Sequence, residues 1–369
     1  MRQFHHMLAT EENHAPVPRV FIQIVAWNSM KFLPELFRSL EAQTFRDFRV
    51  LVIDNASTDG LERFLAAYPS ITVLRNFRNL GFARAQNQGI RWALKQAADA
   101  RQSTAESFVL LLNPDVVLTP TALERMVRCA ESDPSLGSVG AKLLRCVFAA
   151  DGSVEFTDTI DSLGLEIRRS RQVVDRGAGM DISKFRHFDM SSAEPQSVFG
   201  ISGALTLYRL SAMQDAAISL SDNTEYFDED FFTYKEDVDI AWRLQLLGWR
   251  AAVATDAVSY HHRGAPGSAA GLWGLLFAER RKGAAVLLHS AKNHLLLLIK
   301  NEHRANFMRH APRIIAHELA KCLLRLCIAP RALRGYAQTP RLVPKMWVKR
   351  RLIQSRAKRS AADMERWFK

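Results

Sequence analysis

The sequence predicts an α/β protein built on a doubly wound sheet, and three observations predict it. Over the first third of the chain, short β-branched apolar runs alternate with helical patterns, the order that builds parallel strands joined by right-handed crossovers. Three of the four strand ends in that region run into polar or acidic residues, at Asp54/Asn55, Asn76 and Asn113 to Asp115. In open sheets of this kind, ligands sit beyond the carboxyl ends of the strands. Finally, neither G-x-G-x-x-G nor GxxxxGK[ST] is present, so the glycine loops of the common nucleotide folds are not supported.

The first strand, Arg19 to Ala26, is an apolar run of the type buried in a parallel sheet and leads into Trp27 and Asn28. Asn28 and Ser29 offer an N-cap for a helix from Phe32 to Gln43 with Pro34 in its first turn. A second strand, Arg49 to Ile53, ends at Asp54, and DNASTDG supplies turn chemistry before a helix from Leu61 to Ala67. The third strand is Ile71 to Arg75. After the loop NFRNLGFA comes a helix from Arg84 to Gln96, then a fourth strand from Phe108 to Leu112. Residues Asp151 to Pro195 are polar, dotted with Gly and rich in Arg, and read as hairpins and a long loop over the active face. Val198 to Tyr208 returns to strand character, with Gly203 marking a place where a backbone can approach a ligand. A helix from Glu236 to Leu247 ends at Gly248, and a strand from Trp249 to Thr255 leads to Tyr260-His261-His262. From Leu272 the pattern is helical to the end, with Pro312, Pro330, Pro340 and Pro344 dividing it. The expected organisation is a disordered leader over 1–18, a catalytic domain over 19–265 and a basic helical region over 266–369.

The chain has 369 residues, 48% hydrophobic and 24% charged, which are the values of a folded globular protein. Cys129, Cys146, Cys322 and Cys327 sit at no metal-ligand spacing, and Cys322 and Cys327 lie on an apolar helical pattern, so buried free thiols in a reducing compartment are expected. The first 18 residues hold no apolar core of a secretory signal. The most apolar run, Ala284 to Ile299, is interrupted by His289, Lys292 and His294, short of the roughly 18 apolar residues a membrane span needs. A cytoplasmic address follows. The net charge of +12 is uneven: 23 Lys+Arg face 5 Asp+Glu from Arg263 onward, against 27 and 33 before it. Such a tail suits an anionic membrane surface, an acidic protein or nucleic acid, of which the membrane surface is favoured for a cytoplasmic enzyme.

Tyr226 to Arg243, YFDEDFFTYKEDVDIAWR, sets Asp228, Glu229, Asp230, Glu236, Asp237 and Asp239 among large apolar side chains. Burial raises a carboxyl pKa and nearby cations lower it, which is how a carboxylate is tuned into a base. Equally, acidic residues suit a helix N-terminus, where Asp239 can pair with Arg243. Asp115, at a strand end, suits a hard cation such as Mg2+ or Mn2+ bridging to a diphosphate, although Asn113-Pro114-Asp115 is also an ordinary turn sequence. His261 offers an imidazole to that cation or a hydrogen bond to the diphosphate, and His262 is the alternative.

The ordered set IDNASTDG, NLGFARAQNQGI, LLLNPD, ISGALTLYR, FDEDFFTYKEDVDIAWRLQLLGW and a following His resembles family 2 glycosyltransferases of the GT-A fold, over roughly residues 19–265. More narrowly it is similar to rhamnosyltransferase-like members that build bacterial cell-surface polysaccharide. The resemblance implies that Asp54 recognises the nucleoside, with Trp27, Asn28 and Asn113 on the nucleotide-sugar side. Asp115 would be the metal-binding aspartate of a DxD-type motif, with Asn113 in place of the first acid. Asp237 matches the catalytic base, Glu236 its neighbouring acid, and His261 the histidine that approaches metal or diphosphate. Glu225-Tyr226, where relatives often carry a glycine pair, and Lys235 depart from the pattern on the acceptor side.

The implied reaction is a single displacement with inversion, from a nucleotide sugar, with dTDP-rhamnose the expected donor, to a saccharide or lipid-linked acceptor at the inner face of the cytoplasmic membrane. No Ser/His/Asp or Cys/His pattern points to a covalent nucleophile. Asp239, about 200° round the helix from Asp237, is expected to hold that helix through Arg243. The competing readings are a UDP- or GDP-sugar donor and a non-catalytic scaffold. A nucleic-acid binder is disfavoured because an acidic crevice repels phosphate backbones.

Overall fold

The computed structural model describes residues 18–149, 151–185, 194–220, 223–263 and 283–369. Its first part is β1 (Val20–Ala26), α1 (Leu33–Glu41), β2 (Phe48–Asp54), α2 (Leu61–Leu65), β3 (Thr72–Arg75), α3 (Phe82–Asp99) and β4 (Phe108–Leu112). These strands pair in parallel in the order β3-β2-β1-β4. Every residue of β1 and β4 is buried, as strands covered by helices on both faces require. Alternation sorts them: Val20, Ile22, Ile24 and Ala26 join the core under α1 and α2, while Phe21 joins the core under α3.

The chain then adds β5 (Val116–Leu118), α4 (Ala122–Ser132), β6 (Leu136–Phe148), β7 (Val154–Ser162), β8 (Leu165–Ile167), β9 (Val173–Asp175), β10 (Gln196–Val198), β11 (Leu205–Arg209), α5 (Leu210–Ala216), β12 (Ile218–Leu220), β13 (Asn223–Glu225), α6 (Glu236–Leu246) and β14 (Arg250–His261). β11 lies antiparallel between β4 and β6, and β14 runs parallel to β6. β7 pairs with β6, and β5 and β10 with β14, all antiparallel, completing a mixed sheet of ten strands. The expected doubly wound α/β sheet with flanking helices is thus observed, extended by antiparallel strands into a mixed one.

The last described part is α7 (Ala284–Asn301), α8 (Arg304–Ile328), α9 (Leu333–Gln354) and α10 (Ala361–Glu365). Leu296, Leu297, Met346, Ile353, Met364 and Phe368 from this region share one core with Phe199, Phe231, Val238 and Trp242 of the sheet region. α9 crosses α7 at Gly335, where a Cβ would collide with the Leu288 carbonyl; only glycine permits that approach.

Several expectations are corrected. Asn28 and Ser29 do not cap α1; Ser29 Oγ accepts from the Trp27 amide and Asn28 Oδ1 from the Thr58 amide, so both side chains serve the adjoining loops. Val198 to Tyr208 is two strands, because residues 199–204 leave the sheet to pass α6, with Gly200 against Ala241. The last strand runs on to His261 through a register shift between Ala254 and Val258. Pro312, Pro340 and Pro344 lie inside helices, and only Pro330 falls at a boundary; packing of Gly335, Met346 and Ile353 outweighs the local cost of proline. Cys129 and Cys146 are buried free thiols, but Cys327 is exposed and Cys322 partly so. The leader, apart from Pro18, and residues 264–282 lie outside the described residues. Among the described residues, no helix is long and apolar enough to cross a membrane.

Candidate active site

Parallel register brings Ala26, Asp54 and Arg75 side by side at the carboxyl edge of the sheet. Asp54 is buried; its Oδ1 accepts from the Ser57 amide (2.8 Å) and its Oδ2 pairs with Arg75 Nε (3.2 Å). Both oxygens therefore already have protein partners. Asn28, held at a φ of 49°, ties the first loop to this turn through Ser57 and Thr58, and Trp27 stands 56% exposed beside it. Next along the edge, Asn55 links to Asn76 and Asn79, so the asparagines shape the crevice wall.

Asn113 to Asp115 form the turn between β4 and β5, and the Asn113 amide donates to the Ala204 carbonyl (2.9 Å). β14 pairs with β5 so that His261 lies opposite Val116, which brings His261 Nε2 to 3.4 Å from Asp115 Oδ1. His261 Nδ1 lies 2.8 Å from Asp161 Oδ2, a fully buried carboxylate on β7. Burial works to lower the His261 pKa, but the hydrogen bonds and charges of Asp115 and Asp161 overcome it and raise the imidazole to about 9. Arg263 joins the same group, its Nε 2.8 Å from Asp161 Oδ1 and its Nη2 2.7 Å from Asp175 Oδ2. His262 turns the other way, between the rings of Phe32 and Phe148.

This donor set fits a divalent cation. A carboxylate bonded to one ring nitrogen is the usual way a protein orients a ligating histidine. The 3.4 Å between Asp115 Oδ1 and His261 Nε2 lies between the edge of about 3.0 Å and the diagonal of about 4.2 Å of an octahedral shell with bonds of about 2.1 Å, so one cation can reach both atoms. A second cluster with metal-like spacing, Glu225, Asp228 and Asp230, is of another kind. Lys349 Nζ sits among the three at 2.7, 2.5 and 2.9 Å and supplies the positive charge itself.

Glu236 and Asp237 open α6. The Gly203 amide donates to Asp237 Oδ2 (3.2 Å) and the Val238 amide to Oδ1 (2.8 Å). A Cβ on Gly203 would press on the Asp237 Cβ at 3.2 Å, so the glycine approaches this carboxylate rather than only a ligand. Burial raises the Asp237 pKa against the lowering effect of Lys235. Burial and then the charge of Asp237 raise Glu236 to about 8, and Glu236 Oε2 has no hydrogen-bond partner among the described residues. The charges of Asp175 and Arg263 are felt at Asp237, so the base region adjoins the Asp115 and His261 group. Asp239 lies on the buried side, 3.0 Å from Arg243 Nε and 2.8 Å from Lys300 Nζ.

The turn before α6 is strained, with left-handed φ at Phe232 (65°), Tyr234 (68°) and Lys235 (72°). Asn293 of α7 holds it, its Nδ2 shared among the carbonyls of Phe231 (2.8 Å), Thr233 (2.8 Å) and Tyr234 (2.7 Å). Asp161, Asp175 and Asn293 escape sequence reasoning. Asp161 sits in an Arg- and Gly-dotted stretch without clear periodicity, and nothing local marks Asn293 as a partner of residues 59 to 62 positions away.

Comparison with known proteins agrees with this geometry. The family model described as "Glycosyl transferase family 2" matches residues 21–216, and one described as "Glycosyl transferase family group 2" matches residues 164–304. The N-acetylglucosaminyl-diphospho-decaprenol L-rhamnosyltransferase of Mycobacterium tuberculosis (strain CDC 1551 / Oshkosh) is 28% identical over 249 residues, 65% of this chain and 74% of the relative. An uncharacterized glycosyltransferase of Haemophilus influenzae is 23% identical over 148 residues, 40% of this chain and 46% of its own length. Among solved structures, GalNAc-T7 with UDP, GalNAc and Mn2+ superposes with a TM-score of 0.52 at 15% identity, over 79% of this chain. The chain spans 48% of that structure, so the likeness speaks for the GT-A fold alone. A family model running through more than half of the residues, on a sheet whose carboxyl edge carries the motifs, leaves one assignment: this chain belongs to glycosyl transferase family 2 and is rhamnosyltransferase-like.

Proposed function

We propose that this glycosyltransferase moves rhamnose from dTDP-rhamnose to a lipid-linked saccharide acceptor, with inversion and with Asp237 as the base. The observation that carries the reading is a part-buried carboxylate of raised pKa, fixed by the Gly203 amide and adjoining the Asp115 and His261 pair. Asp237 takes the proton of the acceptor hydroxyl. The acceptor oxygen bonds to the anomeric carbon as the bond from that carbon to the diphosphate breaks, and the nucleoside diphosphate leaves. Asp115 and His261 would hold a divalent cation, Mg2+ or Mn2+, which neutralises charge on the diphosphate. Arg263 and Asp161 keep His261 in place. Trp27, Asn28 and Asp54 line the nucleoside end, with Asn113 between it and Gly203.

The acceptor class and the donor sugar are supported by the mycobacterial relative, whose name specifies L-rhamnosyl transfer to N-acetylglucosaminyl-diphospho-decaprenol. We assign the catalytic unit to residues 19–265, and residues 266–369 to a basic region that braces it and meets an anionic membrane at the inner face. The test is thermal unfolding with dTDP, UDP or GDP and Mn2+, followed by transfer from the stabilising sugar nucleotide to polyprenyl-diphospho-N-acetylglucosamine. A bound nucleotide raises the melting temperature. dTDP should give the largest shift and the product an inverted anomer; a shift with UDP or GDP but not dTDP ends the rhamnose reading.

A further inference from the structure

α8 has one buried face and one bare one. Asn306, His310, Ile314 and Arg325 face inward, while Met308 (72% exposed), Ile315, Leu319, Leu323 (62%) and Leu326 face out. At 3.6 residues per turn, these five and Arg304 fall within about 100° of the helix circumference. α9 returns antiparallel to α8: Arg325 bonds Tyr336 near the turn. At the other end Arg304 shares a cleft of about 540 Å³ with Trp347, Arg350 and Arg351. α9 adds exposed Trp347 and Val348 to the same hairpin, with Arg334, Arg341 and Arg351 also exposed.

We propose that the outer face of the α8–α9 hairpin docks on an anionic phospholipid bilayer, the apolar stripe entering the interface and the Arg304, Arg350 and Arg351 cleft taking a lipid phosphate. This deepens the membrane reading given above and rests on it, but not on the donor or the base. Charge complementarity selects the occupant. The region from Arg263 onward carries 23 Lys+Arg against 5 Asp+Glu, and among its described cations two kinds stand apart. Lys300, Lys345 and Lys349 are spent on carboxylates of the sheet region. Arg304, Arg313, Arg334, Arg341 and Arg351 are exposed and have no carboxylate partner among the described residues. A bare apolar stripe bordered by such arginines is the composition of an interfacial helix, and each cation near an anionic leaflet adds to binding. Trp347 at the mouth of the cleft suits the headgroup level, where one side of the ring is wet and the other apolar.

The experiment is co-sedimentation of the full chain with phosphatidylcholine vesicles, with and without phosphatidylglycerol. The wild type should partition to the phosphatidylglycerol vesicles and lose binding as salt rises. Leu319→Glu with Leu323→Glu should reduce partition at least tenfold, and Arg304→Glu with Arg351→Glu should remove the preference for phosphatidylglycerol. All of these sites are exposed, and circular dichroism confirms that each variant is folded. Equal binding by the leucine variant overturns this face while leaving the membrane reading standing. No binding by the wild type to either vesicle overturns both, and a concentration-dependent dimer that the leucine variant abolishes overturns this face. Sugar transfer to a short-chain acceptor, measured without vesicles, reports on the catalytic reading separately.

Discussion

Two groups of carboxylates only a few residues apart have opposite environments. Glu225, Asp228, Asp230 and Asp239 meet ammonium groups delivered from the C-terminal helices, Lys300 and Lys349 above all, both of them fully buried. Asp228 shows the outcome: burial pushes its pKa up, but the charges of Lys300 and Lys349 prevail and hold it well below the usual carboxylate range. Glu236 and Asp237 are also drawn into the protein, but Lys235 only partly offsets burial and their pKa values rise. The difference lies in who comes to meet them. A carboxylate given a buried cation becomes a structural anion, and one left to amide donors keeps the basicity that proton transfer needs.

The largest effect should come from removing the second kind. Asp237→Asn keeps the Gly203 and Val238 neighbours and the volume, and deletes the proton acceptor. Transfer should fall on the order of 10²- to 10⁴-fold in kcat, the range for a general base, with the melting temperature within a few degrees of wild type. Steady-state kinetics beside thermal unfolding reads both, and a variant with wild-type kcat would move the base elsewhere.

Lys349→Met attacks the first kind. It leaves Glu225, Asp228 and Asp230 near one another with the cation between them gone, although Lys300 and Lys345 remain close. Breaking a buried pair from one side costs roughly 3–5 kcal/mol. Denaturant unfolding should show that loss, and the C-terminal helices should become the most easily cleaved part of the chain. A loss below about 1 kcal/mol, the level of a surface ion pair, would mean that the network does not brace the two regions.

The same contrast explains what was legible in the sequence. β1, β2 and β4 could be read because buried parallel strands are written as nearly continuous apolar runs, and Phe108–Leu112 is legible to the residue. Gly248 at a φ of 94° closes α6 as its position suggested, and Asp239 does hold Arg243. β6 was not legible, since Gly137, Gly140, Lys142 and Arg145 break any period of two, and its place in the sheet comes from β11 and β14 on either side. The site candidates Asp54, Asp115, Asp237 and His261 were visible as strand-end and helix-start groups, but their partners were not. Asp161 reaches His261 across 100 positions, and Lys349 reaches Asp228 across 121. No local pattern encodes such pairings; only the packing of distant elements does.

Glu236→Gln is the finest probe of the comparison, because it changes one proton and little volume. A carboxyl whose folded pKa is raised keeps its proton in the native state at pH values where the unfolded chain has already released it. The stability this contributes is complete below the ordinary glutamate value and is lost as pH rises to about 8. The slope is at most about 1.4 kcal/mol per pH unit for one proton. The amide has nothing to release, so the variant's melting temperature should fall less than the wild type's between pH 5 and pH 8, while the fall that His261 contributes up to about pH 9 stays common to both. Below about pH 8 Glu236 is already neutral, so the amide takes no charge away from beside Asp237 there. The acid limb of the rate profile should therefore stay in place, and parallel stability curves for the two proteins across this window would show that Glu236 is ionised in the fold.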